Sequence, residues 1–186
     1  MDIKEMLIEN PVIAAITKDE DLKKVLESNV SIVFVLYGNI LSLKNICETL
    51  EAHNKIVFVH IDLIDGLKGD QMGIKFIKDN AKPFGIISTK ASNIKYAKAL
   101  GLYTIQRVFV VDTLSFVKGV KNIEDNKPNA IEVMPGIAPK IISKVNERLN
   151  CEIIAGGLIR TKSDVIEALS HGAIAVSTTK YDLWSL

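Results

Sequence analysis

The sequence predicts an α/β fold closed into a compact (β/α)8 barrel of the TIM type, with short helices and a stunted last one. Three observations predict it. Eight short runs rich in Val, Ile and Ala alternate with helix-patterned segments along the 186 residues. The runs are continuously apolar, which marks strands covered on both faces, as in a parallel sheet. The seventh and eighth end in Gly156-Gly157 and Ser177-Thr178-Thr179, and the loops after strands 7 and 8 of such a barrel frequently hold a phosphate. Alternation alone leaves a doubly wound open sheet as a rival. The count of eight and the Gly-Gly pair favour the closed form.

The first run covers residues 11–16. Thr17 and Glu20 then have the spacing of a capping box, and Leu22, Val25 and Leu26 supply a helix stripe that Asn29 is suited to end. The second run, 31–37, closes at Gly38 and is followed by a helix around 43–53 with Ile46, Cys47 and Leu50 on one side. The third run is 55–64. The fourth is 84–90, with Ser92 placed to cap a helix carrying Ile94, Ala97 and Leu100 to Gly101. The fifth is 103–111. The sixth is 130–136, and Pro139 suits the first turn of the next helix. The seventh holds the Gly-Gly pair, with Thr161 and Asp164 spaced to cap its helix. The eighth is 173–179, and only residues 181–186 follow it. No linker, low-complexity segment or charge block interrupts the series, so residues 1–186 read as a single barrel domain.

Composition narrows the function. Lys and Arg total 23 against 22 Asp and Glu, so no bulk charge advertises a polyanionic partner. Cys47 and Cys151 lack metal-ligand spacing and read as reduced thiols. Asp2, Lys4 and Glu5 make the N-terminus polar and charged, unlike a signal peptide. No apolar stretch approaches the roughly 20 residues that span a bilayer. A soluble cytoplasmic protein with no membrane association is expected.

The polar residues of the strands collect at their C-terminal ends, which share one mouth in a parallel barrel. Gly156, Gly157, Arg160, Ser177, Thr178 and Gly136 are the candidate phosphate site. Glycines let backbone approach a ligand closely, and helix N-termini favour anions. The plainer reading makes the glycines a tight turn beside a solvated arginine, and the hydroxyls filler in a taper. His60, Asp62, Lys90, Arg107 and Glu132 are candidate polar contacts to the rest of a ligand. Gln106 and Arg107 alternate, so one points inward, and a buried arginine needs an anion: Glu132, Asp62 or the ligand. His60 and Asp62 share strand parity, so both are placed to line the interior. Asp62 and Glu132 with waters would suit Mg2+, but two carboxylates on separate strands are a weak set, and no metal is expected.

Several blocks carry a family resemblance: NPVIAAI at 10–16, HIDLIDGL at 60–67, GIISTK at 85–90, IQR at 105–107, IEVMPGI at 131–137, AGGLIRT at 155–161, AVST at 175–178, and Leu183-Trp184. In this order they resemble the glycerol uptake operon antiterminator family, the glycerol-3-phosphate-responsive regulators of glycerol genes, over essentially the whole chain. The resemblance implies a non-catalytic barrel with glycerol 3-phosphate as effector and no other cofactor. It implies action on leader messenger RNA, so that transcription passes a terminator. Composition does not add to the RNA claim. Net charge is +1 and aromatics are 6%, whereas RNA binding normally leaves a basic patch and stacking aromatics. A homodimer would double a modest basic surface. The expected mobile element is residues 64–72, with Gly66, Gly69 and the neighbouring Gly73. The rival function is a phosphosugar isomerase or aldolase, with Asp62 or Glu132 as base, Lys90 as Schiff-base or cationic group and His60 as acid. Against it stands the lack of long loops to close over a reacting substrate.

Overall fold

A short stretch of Val, Ile and Phe with both faces covered has one stable arrangement in this chain: a parallel strand between an interior and a ring of helices. The computed structural model describes residues 2–186. Its strands are β1 (Val12–Ile16), β2 (Ile32–Val35), β3 (Ile56–His60), β4 (Gly85–Ser88), β5 (Tyr103–Phe109), β6 (Ala130–Met134), β7 (Glu152–Gly156) and β8 (Ala175–Thr178). Each pairs in parallel with the next, and β8 returns to β1 through Ile13 opposite Ser177. The predicted closed (β/α)8 barrel is the observed fold.

The helices are α1 (Ile3–Glu9), α2 (Asp19–Glu27), α3 (Leu43–Ala52), α4 (Gln71–Asn80), α5 (Ala91–Ala99), α6 (Thr113–Asn126), α7 (Pro139–Arg148) and α8 (Lys162–Ser170). After β8 only a 3-10 turn, Tyr181–Leu183, remains, which is the stunted last helix. Among the described residues, no helix is long and apolar enough to cross a membrane.

Side chains of a strand alternate between faces, and here that alternation divides the core in two. Outward residues such as Val33, Val59, Ile86 and Ile131 pack with the helices. Inward residues such as Ile13, Phe34, Phe58, Ile105 and Ile154 form a separate cluster inside the barrel. That cluster is closed from below by Ile3, Met6 and Leu7 of α1. The charged Asp2, Lys4 and Glu5 concealed this plug; its three apolar side chains are buried on one side of a helix that charged positions share. An aromatic chain stiffens the interior: Phe34 to Phe58 at 5.8 Å, Phe58 to Phe84 at 5.5 Å, and Phe84 stacked on Tyr103 at 4.5 Å. Gly85 makes room for it, since a Cβ there would lie 2.5 Å from both the Phe58 ring and the Tyr103 carbonyl oxygen.

Three local expectations differ from the structure. α2 starts one residue later than a Thr17–Glu20 box requires. Lys18 holds the N-cap position, and Asp21 reaches back to accept from the Thr17 N–H and hydroxyl, both at 2.9 Å. α5 starts with Lys90 at the N-cap and no side-chain cap, leaving Ser92 inside the first turn. β3 ends at His60, and Asp62 lies in a 3-10 turn, Ile61–Leu63, so the two do not share a strand. The Thr161–Asp164 box on α8 forms as expected, and Pro139 is the first residue of α7. α6 carries a further box between Asp112 and Ser115.

Leu7 is fully buried in the plug. Leu7→Ala is expected to cost about 2–5 kcal/mol, the usual range for emptying a core leucine site, read as a lower denaturant midpoint with an unchanged slope.

Candidate functional site

Above the aromatic layer the barrel interior turns polar. Arg107 on β5 and Glu132 on β6 are register partners, so both side chains enter the interior at one level. Arg107 Nε donates to Glu132 Oε2 at 2.6 Å, and the Ser177 hydroxyl donates to Glu132 Oε1 at 2.5 Å. Glu132 is completely buried. A carboxylate that far from water is tolerable only with such donors. The inward member of the Gln106–Arg107 pair is therefore Arg107. Gln106 turns outward, where its Oε1 accepts from Asn126 of α6 at 3.3 Å. Gly156 belongs to this arrangement: a Cβ there would collide with Glu132 Oε1 and lie 2.8 Å from Ser177 Oγ.

His60 enters the same interior and is buried, with Nδ1 unpartnered and 4.0 Å from Asp62 Oδ2. Desolvation, then the nearby Arg107 charge, push its pKa down to about 4 against the opposing pull of Asp62. It is a neutral imidazole at physiological pH. Asp62 itself faces the β4 loop. Its Oδ2 accepts from the Ser88 hydroxyl at 2.9 Å and the Thr89 N–H at 2.8 Å, and its Oδ1 lies 3.8 Å from Lys90 Nζ. Asp62 and Glu132 thus accept from different sets of donors.

A cavity of about 490 Å3 opens above Glu132. Arg107, Glu132 and Ser177 form its polar floor; Ala15, Leu36, Met134 and Leu158 give apolar wall; Arg160 and Lys180 stand at its edge. Gly157 and Leu158 adopt consecutive left-handed conformations, at φ +80° and +63°, which turn the β7 loop along the cavity. The N–H groups of Arg160 and Thr161 both donate to Asp164 Oδ2 at 2.8 Å, and these bonds hold the Asp164 carboxyl below its ordinary value. The N–H groups of Leu158 and Thr179 take part in no turn or cap hydrogen bond among the described residues.

The expected phosphate residues therefore divide. Gly157, Arg160 and Ser177 line the cavity, whereas Gly156 serves its floor by being small. Thr178 also borders it, but its hydroxyl is committed elsewhere: Oγ1 donates to the Ile159 carbonyl at 2.8 Å and accepts from the Lys180 N–H at 3.1 Å. It bolts the β7 and β8 loops together. Gly136 stands apart from these. Its N–H is spent on the Gly156 and Gly157 carbonyls at 2.5 and 3.1 Å, and a Cβ there would lie 2.8 Å from the Gly156 nitrogen. It packs behind β7 and offers no donor to an anion. Of the second set, Arg107 and Glu132 reach the cavity, while Asp62 and Lys90 make a neighbouring cluster beside His60. Lys180 and Met134 were missed. Lys180 directly follows the eighth run, and that position was the available signal for it.

Cys47 and Cys151 are free, and burial, the larger cause in each, pushes them up to about 12 and about 11. Neither is a thiolate nucleophile near neutral pH.

Comparisons with known proteins bear on this site. A family model described as glycerol-3-phosphate responsive antiterminator matches residues 12–184. An uncharacterized Escherichia coli K12 protein, YgcP, is 38% identical over all of this chain and 97% of its own length. The crystal structure of a glycerol uptake operon antiterminator regulatory protein from Listeria monocytogenes is 37% identical with a TM-score of 0.90, over 93% of this chain and 94% of that one. That of a glycerol uptake operon antiterminator-related protein from Thermotoga maritima is 32% identical with a TM-score of 0.83, over 94% of this chain and 98% of that one. Aldolases at 12–14% identity share the fold alone.

Two outcomes test the site's electrostatics. Glu132→Gln leaves Arg107 buried without its counter-charge, and on the order of 3–5 kcal/mol of stability should be lost in urea unfolding. The folded His60 pKa, about 4, lies below the ordinary 6.5, so on acidification the unfolded state takes up this proton first. Wild type should lose stability relative to His60→Asn as pH falls from 6.5 to about 4, with no difference in slope above 6.5, as followed by thermal melts across that range.

Proposed function

The chain belongs to the glycerol-3-phosphate responsive antiterminator family, and on that premise we propose that glycerol 3-phosphate occupies the cavity above Glu132 and controls binding to leader messenger RNA. The observation that carries this reading is the cavity's division into a cationic edge and a hydrogen-bonding floor. Arg160 and Lys180 suit a phosphate dianion, and Leu158 and Thr179 line the same cavity. Beneath, the Arg107 guanidinium and the Ser177 hydroxyl suit the two hydroxyls of a glycerol unit. A ligand controls a second binding event only if it favours one of two conformations. The element proposed to shift is the segment 64–72, where a Cβ added at Gly69 would lie 3.1 Å from Asn93 Nδ2, 3.3 Å from Lys90 Nζ and 3.5 Å from Asp62 Oδ1.

The aldolase reading needs a lysine whose amine is desolvated enough to be nucleophilic at neutral pH. Lys90 is unsuited to that role: its side chain is 58% exposed and pairs with Asp62, away from the cavity. The carboxylate on the cavity floor is equally engaged, since both Glu132 oxygens already accept hydrogen bonds. A regulatory role, which the family description also carries, is the better fit.

Thermal denaturation against glycerol 3-phosphate, glycerol and inorganic phosphate tests the ligand. Glycerol 3-phosphate at about 100 times its dissociation constant should add roughly 2.7 kcal/mol. Arg160→Ala or Lys180→Ala should remove most of that shift while leaving the ligand-free melt unchanged. Equal stabilisation by glycerol, or none by glycerol 3-phosphate, would refute the assignment. Filter binding of a glycerol-gene leader RNA should tighten on addition of glycerol 3-phosphate; identical binding with and without it would remove the regulatory claim.

A further inference from the structure

An apolar groove of about 420 Å3 runs between the starts of α6 and α7, apart from the effector cavity. Val110, Phe116 and Ile141 form its more buried part, and Val111 and Val117 its open sides. Val111 is 80% exposed and Val117 56%, and Leu114, on the same helix three residues before Val117, is 60% exposed. Aliphatic side chains clustered this way on a soluble surface mark an interaction site. The groove is also lined by one acid and one base, Asp112 and Lys144. The Asp112 carboxylate is held in place by its cap bond from the Ser115 N–H at 2.7 Å.

We propose that this groove is the interface of a two-fold homodimer, in which α6 of one copy packs across α6 of a second. The surface carries both halves of the fit. Leu114 and Val117 protrude, and the space bounded by Val110, Phe116 and Ile141 receives. In a two-fold interface each contact occurs twice with the roles exchanged. Asp112 of one copy then faces the partner's Lys144, and Lys144 faces the partner's Asp112, so a groove with one charge of each sign is self-complementary. RNA suits this surface poorly. Its exposed walls are aliphatic, its aromatic Phe116 is half-buried, and Asp112 repels phosphate.

Sedimentation velocity of the full chain over a wide concentration range tests the proposal. Wild type should sediment with twice the 20.5 kDa mass of the chain. Val117→Glu should sediment at the mass of one chain, with its thermal midpoint kept; should that variant fold poorly, Val117→Gln gives the same comparison more gently. Lys144→Glu sets two acids against each other at both ends of the interface and should weaken dimerisation at least tenfold at low salt. Wild type at single-chain mass throughout, or Val117→Glu dimerising like wild type, would overturn the proposal. So would a wild-type monomer whose RNA binding is lost in Val117→Glu, which would assign the groove to RNA.

Discussion

One buried carboxylate organises the upper half of this barrel. Glu132 has no exposure to water, and the cost of dehydrating its charge falls on its neighbours. Arg107 supplies the counter-charge from the adjacent strand and Ser177 supplies a hydroxyl from two strands away. Gly156, between them on β7, must be glycine because the carboxylate and hydroxyl occupy the space of a side chain there. Four strands are thereby fixed relative to one another at the mouth. The lower half needs nothing comparable: Phe34, Phe58 and the α1 plug fill it by ordinary apolar packing. The boundary between the two halves is what leaves the cavity above Glu132.

The loops above this floor are fastened to one another more than to the solvent. Thr178 ties the β8 loop to the Ile159 carbonyl, and Trp184 Nε1 donates to the Thr178 carbonyl at 2.9 Å, so the last residues of the chain brace the cavity edge. Gly136 ties the β6 loop to Gly156 and Gly157. Met134 lines the cavity, and its carbonyl accepts from the Val110 N–H at 2.9 Å, where Val110 belongs to the groove beside α6. A single backbone hydrogen bond therefore joins the wall of the cavity to the surface proposed for self-association.

How much of this was legible in the sequence follows from the range of each interaction. The eight strands could be read because burial on both faces leaves an uninterrupted apolar run, a local property. The α8 cap could be read because Thr161 and Asp164 are three residues apart. The Thr17 box was misread because Asp21, one residue beyond Glu20, competes for the same donors with shorter reach. α1 was missed because its burial depends on the open base of a barrel, which no stretch of seven residues announces. Arg107 was correctly tied to an acid, but the choice between Glu132 and Asp62 depended on where β3 stops. The chain leaves its extended path at Ile61, turning Asp62 toward Ser88 and Thr89. Gly136 shows the same limit from the other side. A glycine next to a phosphate-type loop looks like a donor to the ligand, and only the register of β6 against β7 reveals that its N–H is already taken.

The arrangement also bears on which anion the cavity can favour. Both oxygens of Glu132 accept hydrogen bonds, and its charge is matched by Arg107, so the floor presents a nearly neutral face with donors in fixed positions. His60, held neutral beside Arg107, adds no charge. The net positive potential is confined to the edge, at Arg160 and Lys180, where it is tempered by Asp164 holding the Arg160 backbone. A small dianion bound deep against Glu132 would gain one guanidinium and face a carboxylate; bound at the edge it would meet the two cations Arg160 and Lys180. On the proposed reading, charge would orient a phosphorylated polyol with its phosphate outward and its hydroxyls down. Inorganic phosphate can satisfy only the edge, and glycerol only the floor. A ligand joined across the two would gain from both without a second loss of translational freedom, which is the physical basis of the proposed selectivity for glycerol 3-phosphate over its parts.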